Sequence, residues 1–186
     1  MIKIVAGKNK GNKLKFPRDL SIRPTSQKVR EALFDIIGRD IEGTYFLDLF
    51  AGTGAVGIEA LSRGAKKAIF IDKFSKCIEI IEENLEKTKN SQNAEVCKSD
   101  FLLGLRLLSK REYLLDYIFI DPPYNQRLAE VSLIEISKLS ILKKSSLVIV
   151  EHYKKEKIED SIGYLKLFKQ KVYGEHLLSF YKYEET

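Results

Sequence analysis

The stretch DLFAGTGAVG, residues 48–57, constrains the fold more than any other part of the chain. An acid closes a short apolar segment, and Gly52, Gly54 and Gly57 open the next one. Glycines at this spacing let a strand turn tightly into a helix and let the backbone approach a ligand closely. The stretch heads a repeating pattern. Expected strands at Tyr45–Leu49, Ala68–Asp72, Ala94–Lys98, Tyr117–Asp121 and Leu147–Glu151 alternate with expected helices at Ala55–Arg63, Ser75–Lys89, Phe101–Ser109 and Leu128–Leu139. The run Leu147–Glu151 is apolar almost throughout, as in a strand covered on both faces. Repeated strand–helix units predict an α/β fold, Rossmann-like, with a mostly parallel sheet between layers of helices. Lys166–Val172 and Leu177–Tyr183 flank Tyr173-Gly174-Glu175 and read as a closing antiparallel hairpin. Ligands of such sheets bind beyond the carboxyl ends of the strands, where the strand order reverses.

Before residue 44 the pattern differs. Ile2–Ala6 and Lys13–Phe16 read as two short strands around a Gly7–Gly11 turn, and Asp19–Pro24 as a connector. A helix follows, capped by Thr25 or Ser26, with Val29, Leu33, Ile36 and Ile37 on one face. We therefore expect an N-terminal extension, residues 1–43, on a main domain of residues 44–186. Residues 1–30 hold nine Lys or Arg and only one acid, Asp19, so the net charge of +6 resides there and the rest is slightly acidic. A basic segment broken up by glycines, apolar residues and a helix suits a polyanion such as nucleic acid. Lys8, Lys10, Arg23 and Arg30 are the candidate phosphate contacts, the arginines because guanidinium grips phosphate bidentately. Arg30 has a competing role, pairing with an acid to dock the extension.

No apolar run approaches the ~18 residues of a membrane span, and the opening MIKIVAGKNKGNK lacks the apolar stretch of a secretory signal. These features predict a cytoplasmic protein with no membrane partner. Cys77 and Cys97 then read as reduced core or surface thiols. With His152 and His176 they show no ligand spacing, so no metal site is expected. Neither histidine is expected to be catalytic, since neither is expected at a parallel strand's ligand end with a partner. The Lys154–Lys157 run reads as a solvated face.

The glycine stretch alone fits several nucleoside cofactors. Asp72, 20 residues beyond Gly52 at a strand end, suits ribose hydroxyls. Asp48 narrows the choice: next to this turn it would repel a pyrophosphate and attract a cation. The ammonium and sulfonium of S-adenosylmethionine match it. Ser99-Asp100-Phe101 after the third strand of the series suits an adenine pocket, although Asp100 is also a natural helix N-cap. Phe50, within the glycine turn, is placed on the cofactor side with them.

Asp121-Pro122-Pro123-Tyr124 follows an apolar strand. The prolines stiffen the turn and donate no hydrogen bonds. The Pro122 carbonyl and the Asp121 carboxylate are left as fixed acceptors beside an aromatic ring. An exocyclic nucleobase amine is a poor nucleophile because its lone pair is delocalised into the ring. Two acceptors gripping its N–H bonds favour a pyramidal nitrogen and free that lone pair, while Tyr124 stacks on the base.

Asp121–Tyr124 resembles the Asn/Asp-Pro-Pro-aromatic motif of amino-methyltransferases. DLFAGTGAVGIEALSRGA (48–65), RPTSQKVREALFDII (23–37) and IVAGKNKGNKL (4–14) resemble, more narrowly, the bacterial 16S rRNA (guanine-N2)-methyltransferase family, over nearly the whole chain. The resemblance implies a monomeric class I methyltransferase that uses S-adenosylmethionine on a guanine of 16S rRNA, in the small ribosomal subunit or its assembly intermediate. Carried over by motif, Asp121, Pro122 and Tyr124 hold the base, and Asp48, Gly52, Gly54, Asp72 and Asp100 the cofactor. Asn12 stands where the resemblance places a basic residue. An adenine-N6 methyltransferase would use the same four-residue motif, but 186 residues leave no room for a separate target-recognition domain.

Overall fold

The computed structural model describes residues 2–16, 25–123 and 127–184. Its centre is an eight-stranded sheet. Five strands are parallel: β3 (Tyr45–Asp48), β4 (Lys67–Asp72), β5 (Ala94–Lys98), β6 (Leu115–Ile120) and β7 (Leu142–Tyr153). The antiparallel strands β8 (Ser161–Ile162), β9 (Leu165–Tyr173) and β10 (His176–Tyr183) complete it, in the order β5-β4-β3-β6-β7-β10-β9-β8. The order reverses between β3 and β6, which places the ligand end there.

Alternation along each strand divides the core into two layers. Phe46, Phe70, Phe119 and Ile149 face a cluster built with α1 (Gln27–Ile37), α2 (Ala55–Ser62) and α3 (Ser75–Lys87). Leu47, Ile69, Ile118 and Val148 face the opposite one, built with α4 (Phe101–Lys110) and α5 (Leu128–Ser137). Ser26 caps α1, its hydroxyl accepting from the Val29 N–H, and Val29, Leu33, Phe34 and Ile37 are buried beneath. Ile36 is only partly covered, and Phe34 takes its place on the inner face.

The expected N-terminal strands are shorter than the alternation suggests. Only β1 (Ile2–Lys3) and β2 (Lys13–Leu14) pair. The next amides turn elsewhere: Val5 and Ala6 N–H donate to the Glu59 carboxylate at 2.8 and 2.9 Å, and Lys15 N–H to Asn84 Oδ1 at 2.6 Å. Strand β7 begins five residues earlier than its apolar run, because Lys143 and Lys144 hide its start. The Lys143 N–H there donates to Ser146 Oγ. The closing hairpin inserts with β10 against β7 and β9 outside it, and the two-residue β8 was not legible in the sequence.

Arg30 does not contact solvent. Its guanidinium, 1% exposed, lies 3.4 Å from Glu59 Oε2 and donates to the Lys3 carbonyl at 3.0 Å. Burial pulls its pKa down while Glu59 opposes the shift. Its expected phosphate contact is therefore corrected to the competing docking role, since a group enclosed by β1, α1 and α2 cannot reach RNA. Removing one member of a buried pair strands the other. Glu59→Leu should thus cost roughly 3–5 kcal/mol of folding free energy. Adding Arg30→Met should recover part of it, as urea unfolding of the two variants will show.

Candidate active site

The cleft beyond β3, β4 and β6 has a volume of about 740 Å³ and is lined by Asp48, Gly52, Asp72, Asp100 and Asp121, among others. That is within the ordinary range for a small-molecule site. It brings together the acids that the sequence singled out from four separate strand ends.

The glycine turn forms one side. Gly54 has φ +73° at the N-cap of α2, a conformation that strains residues with a side chain. Gly57 lies so close to β4 that an added Cβ would meet the Phe70 ring at 2.3 Å. This close packing lets the Gly57 N–H donate to Asp48 Oδ2 at 3.0 Å. Asp72 spans the next gap: Oδ2 accepts from Gly52 N–H and Oδ1 from Phe74 N–H, both at 2.9 Å. Asp100 caps α4 by accepting from Leu102 and Leu103 N–H, yet it remains exposed to the cleft. Phe50 and Phe101 pack with ring centroids 5.2 Å apart and form an aromatic wall.

Asp48 is the most perturbed of these acids. Burial pushes its pKa up to about 8; the Gly57 N–H opposes that shift, and the charges of Asp121 and Asp72 add to it. Its carboxylate would gain from a cation placed in the cleft. A polyphosphate would be repelled by Asp72, Asp100 and Asp121, which line the same cleft. The electrostatics and aromatic wall therefore fit a cationic nucleoside.

On the other side, Asp121 Oδ2 accepts from Thr25 Oγ1 at 2.9 Å. Thr25 immediately precedes the cap of α1, so the N-terminal segment reaches the Pro-Pro turn directly. In the sequence Thr25 reads as a helix cap within the stretch of residues 23–37 that carries the resemblance, with no sign of a bond to Asp121. Pro122 is buried and Pro123 exposed at the same rim. Tyr124 and Arg23 lie outside the described residues. Lys8 and Lys10 are exposed on the β1–β2 turn, which is fastened to α2 by Lys8 N–H to the Ser62 carbonyl at 2.8 Å.

Three further residues changed standing. Phe74, 53% exposed, and buried Cys77 both line the cleft. The signal for Phe74 was an aromatic two residues after Asp72. The Cys77 thiol is pushed up to about 12 by burial and by Asp72, so it stays protonated. The positional expectation fails for His152, which lies near the ligand end of the parallel strand β7 with Nε2 2.7 Å from Ser179 Oγ. His176 lies on the antiparallel β10, with Nδ1 3.6 Å from Glu151 Oε1. Among the described residues no group of His, Cys, Asp and Glu could hold a metal ion. No helix among them is long and apolar enough to cross a membrane.

Residues 2–182 match the family model described as Conserved hypothetical protein 95. The chain belongs to this family. It is 31% identical over 183 residues to ribosomal RNA small subunit methyltransferase D of Escherichia coli K12, covering 98% of this chain and 90% of that one. It is 34% identical to the protein of the same name from Buchnera aphidicola subsp. Acyrthosiphon pisum, covering 84% and 81%. The solved structure of yhhF from Escherichia coli superposes with a TM-score of 0.86 at 29% identity, over 98% of each chain. The fold shared with these relatives is the class I methyltransferase fold.

Asp48 also makes stability pH-dependent. Its folded pKa of about 8 lies above the ordinary carboxyl value of 3.8, so the folded state holds the proton more tightly. That contribution is fully present below about pH 4 and is lost as pH rises to about 8. The folding free energy of Asp48→Asn minus that of the parent should accordingly increase from pH 5 to 8 and level off above. Denaturant titrations of the ligand-free proteins across that range check the trend.

Proposed function

We propose that the protein transfers a methyl group from S-adenosylmethionine to the exocyclic N2 amine of a guanine in 16S rRNA, within the small ribosomal subunit or its assembly intermediate. The observation that carries this reading is the single cleft. The acids suited to a cationic nucleoside and the Asp121-Pro122 acceptors open into one space. The relatives' name, ribosomal RNA small subunit methyltransferase D, supplies the substrate class.

Asp72 and Asp100 would hold the nucleoside half of the cofactor, with Phe50 and Phe101 against the adenine. The backbone at Gly52 and Gly54 would admit its amino-acid end beside Asp48. The cofactor supplies a methyl group activated by a sulfonium. Asp121 and the Pro122 carbonyl accept the two N2 hydrogens, so the nitrogen lone pair points at the methyl donor. The Asp121 carboxylate also stabilises the positive charge that develops on that nitrogen. Thr25 holds this carboxylate in place, and Tyr124 stacks on the base. A stacked base must leave its helix to arrive here, at a cost of a few kcal/mol. Lys8, Lys10 and Arg23, on the basic segment of residues 1–43, offset that cost through phosphate contacts. The enzyme works as a cytoplasmic monomer.

The test uses labelled S-adenosylmethionine and small subunits from a strain lacking the enzyme, with the product nucleoside identified by mass spectrometry. N2-methylguanosine in 16S rRNA is expected. Asp121→Ala should lower turnover by roughly 100-fold or more while leaving cofactor affinity nearly unchanged. N6-methyladenosine as the product, or full activity of Asp121→Ala, would contradict the proposal.

A further inference from the structure

The C-terminal hairpin carries a basic face at the level of Asp121. Residues 165–183, which span β9 and β10, hold four lysines and one acid, Glu175. Leu178 on β10 pairs with Glu151 on β7 and with Lys171 on β9. Ile120, just before Asp121, pairs with Val150, just before Glu151. Asp121 and Lys171 therefore stand in one register row, three strand spacings or about 14 Å apart. Directly opposed residues share a face of a sheet. Lys171 and Lys169, opposite Leu178 and Phe180, thus lie on the face that carries α1. Phe119 packs into the same cluster, and alternation puts Asp121 on that face too. A bulge adds an aromatic ring. Phe180 pairs with Lys169 and Tyr181 with Leu167, which leaves Phe168 as the extra residue. Its ring meets Phe180 edge-on at 6.3 Å and is still 47% exposed. Glu184 neutralises Lys166 and Lys182 at 3.0 and 2.7 Å, but neither Lys169 nor Lys171 has an ion pair among the described residues. Strand β8 pairs with β9 only at Leu165 and Lys166.

We propose that this face of β9 binds rRNA beside the target base, with Lys169 and Lys171 on phosphates and Phe168 stacked on a base; this rests on the rRNA reading above. Charge complementarity names the partner. Two cations set around an exposed ring match the two things that unpaired RNA presents, a phosphate chain and flat bases. Lysine is a point charge without a fork, so this pair positions a backbone and reads no sequence. The face also supplies contacts that the N-terminal segment does not reach. Lys8 N–H donates to the carbonyl of Ser62, the last residue of α2, so the β1–β2 turn stands about 12 Å down that helix from the glycine turn. Helix α2 packs on β3 and β4, on one flank of β6, whereas β9 lies on the other flank. RNA held on both flanks keeps the extruded base centred on Asp121 and Pro122. The two sets of contacts together offset the cost of unstacking it.

The experiment measures binding of the full chain to small subunits from a strain lacking the enzyme, and to protein-free 16S rRNA, over a potassium chloride series. The double variant Lys169→Gln, Lys171→Gln should weaken binding to both and flatten the plot of log affinity against log salt by roughly 1.4–1.8 slope units, for two lost phosphate contacts. Phe168→Leu keeps an apolar contact with Phe180 and removes the flat ring. It should weaken binding roughly 5- to 150-fold, the worth of one stacked base, with the salt slope unchanged. Both should raise KM for the RNA substrate while kcat and cofactor affinity stay at parental values. A charge-matched control, Lys110→Gln with Lys138→Gln at the C-terminal ends of α4 and α5, should bind as the parent does. The inference is overturned if the β9 double variant keeps the parental affinity and slope, or if the control weakens binding as much. Self-association of the double variant at unchanged RNA affinity also overturns it, since the lysines then only shield an open strand edge. Loss of affinity for subunits alone would assign the face to a ribosomal protein and overturn it too. A parent that neither binds nor methylates the rRNA refutes the substrate reading itself.

Discussion

The Glu59 carboxylate, buried on α2, is where the N-terminal segment and the cofactor loop are fastened together. It accepts from the amides of Val5 and Ala6, from Arg63 Nε at 2.9 Å, and faces Arg30 across 3.4 Å. Two backbone amides and two cations thus converge on one group that water does not reach. Such a cluster adds little net stability over an apolar core, yet it tolerates only one arrangement of its members. The arrangement matters for the site because α2 starts at the glycine turn, while α1, anchored by Arg30, starts two residues after Thr25. A single buried carboxylate therefore sets both the floor of the cofactor cleft and the approach to Asp121.

The cleft itself runs against folding stability. Asp48, Asp72, Asp100 and Asp121 converge there, and Asp48 is buried beside two of the others. Desolvation beside two like charges disfavours the ionised form of Asp48, and the ligand-free protein answers by holding a proton there. A cationic ligand favours the ionised carboxylate, so its binding is coupled to loss of that proton. The Gly57 amide limits the shift by donating to Asp48. That bond is possible only because position 57 carries no side chain against Phe70.

Much of this was legible in the residues. The alternation of strands and helices from residue 44, the glycine turn and the four acids at strand ends could all be read from period and spacing, because each depends on local chain geometry. Strand and helix limits shifted where a side chain took over a backbone bond, as Glu59 does at Val5 and Ala6. What the sequence hid was long-range. Arg30 looked like part of a basic footprint, since nothing local announces a partner 29 residues away. Glu151 and His176 looked unrelated, since their meeting depends on β10 inserting between β7 and β9. Thr25 looked like a helix cap because its partner lies 96 residues away.

We propose that the N-terminal segment shapes the chemistry as well as the surface, through the bond from Thr25 Oγ1 to Asp121 Oδ2. The most direct measurement is the single-turnover rate of methyl transfer by Thr25→Val, which keeps the volume and removes the hydroxyl. Loss of a hydrogen bond to a charged group costs about 1.5–3 kcal/mol, so the rate should fall by roughly 10- to 100-fold. The dissociation constant for S-adenosylmethionine should stay at the parental value. A rate equal to the parent's would contradict the claim and leave the segment with a surface role alone.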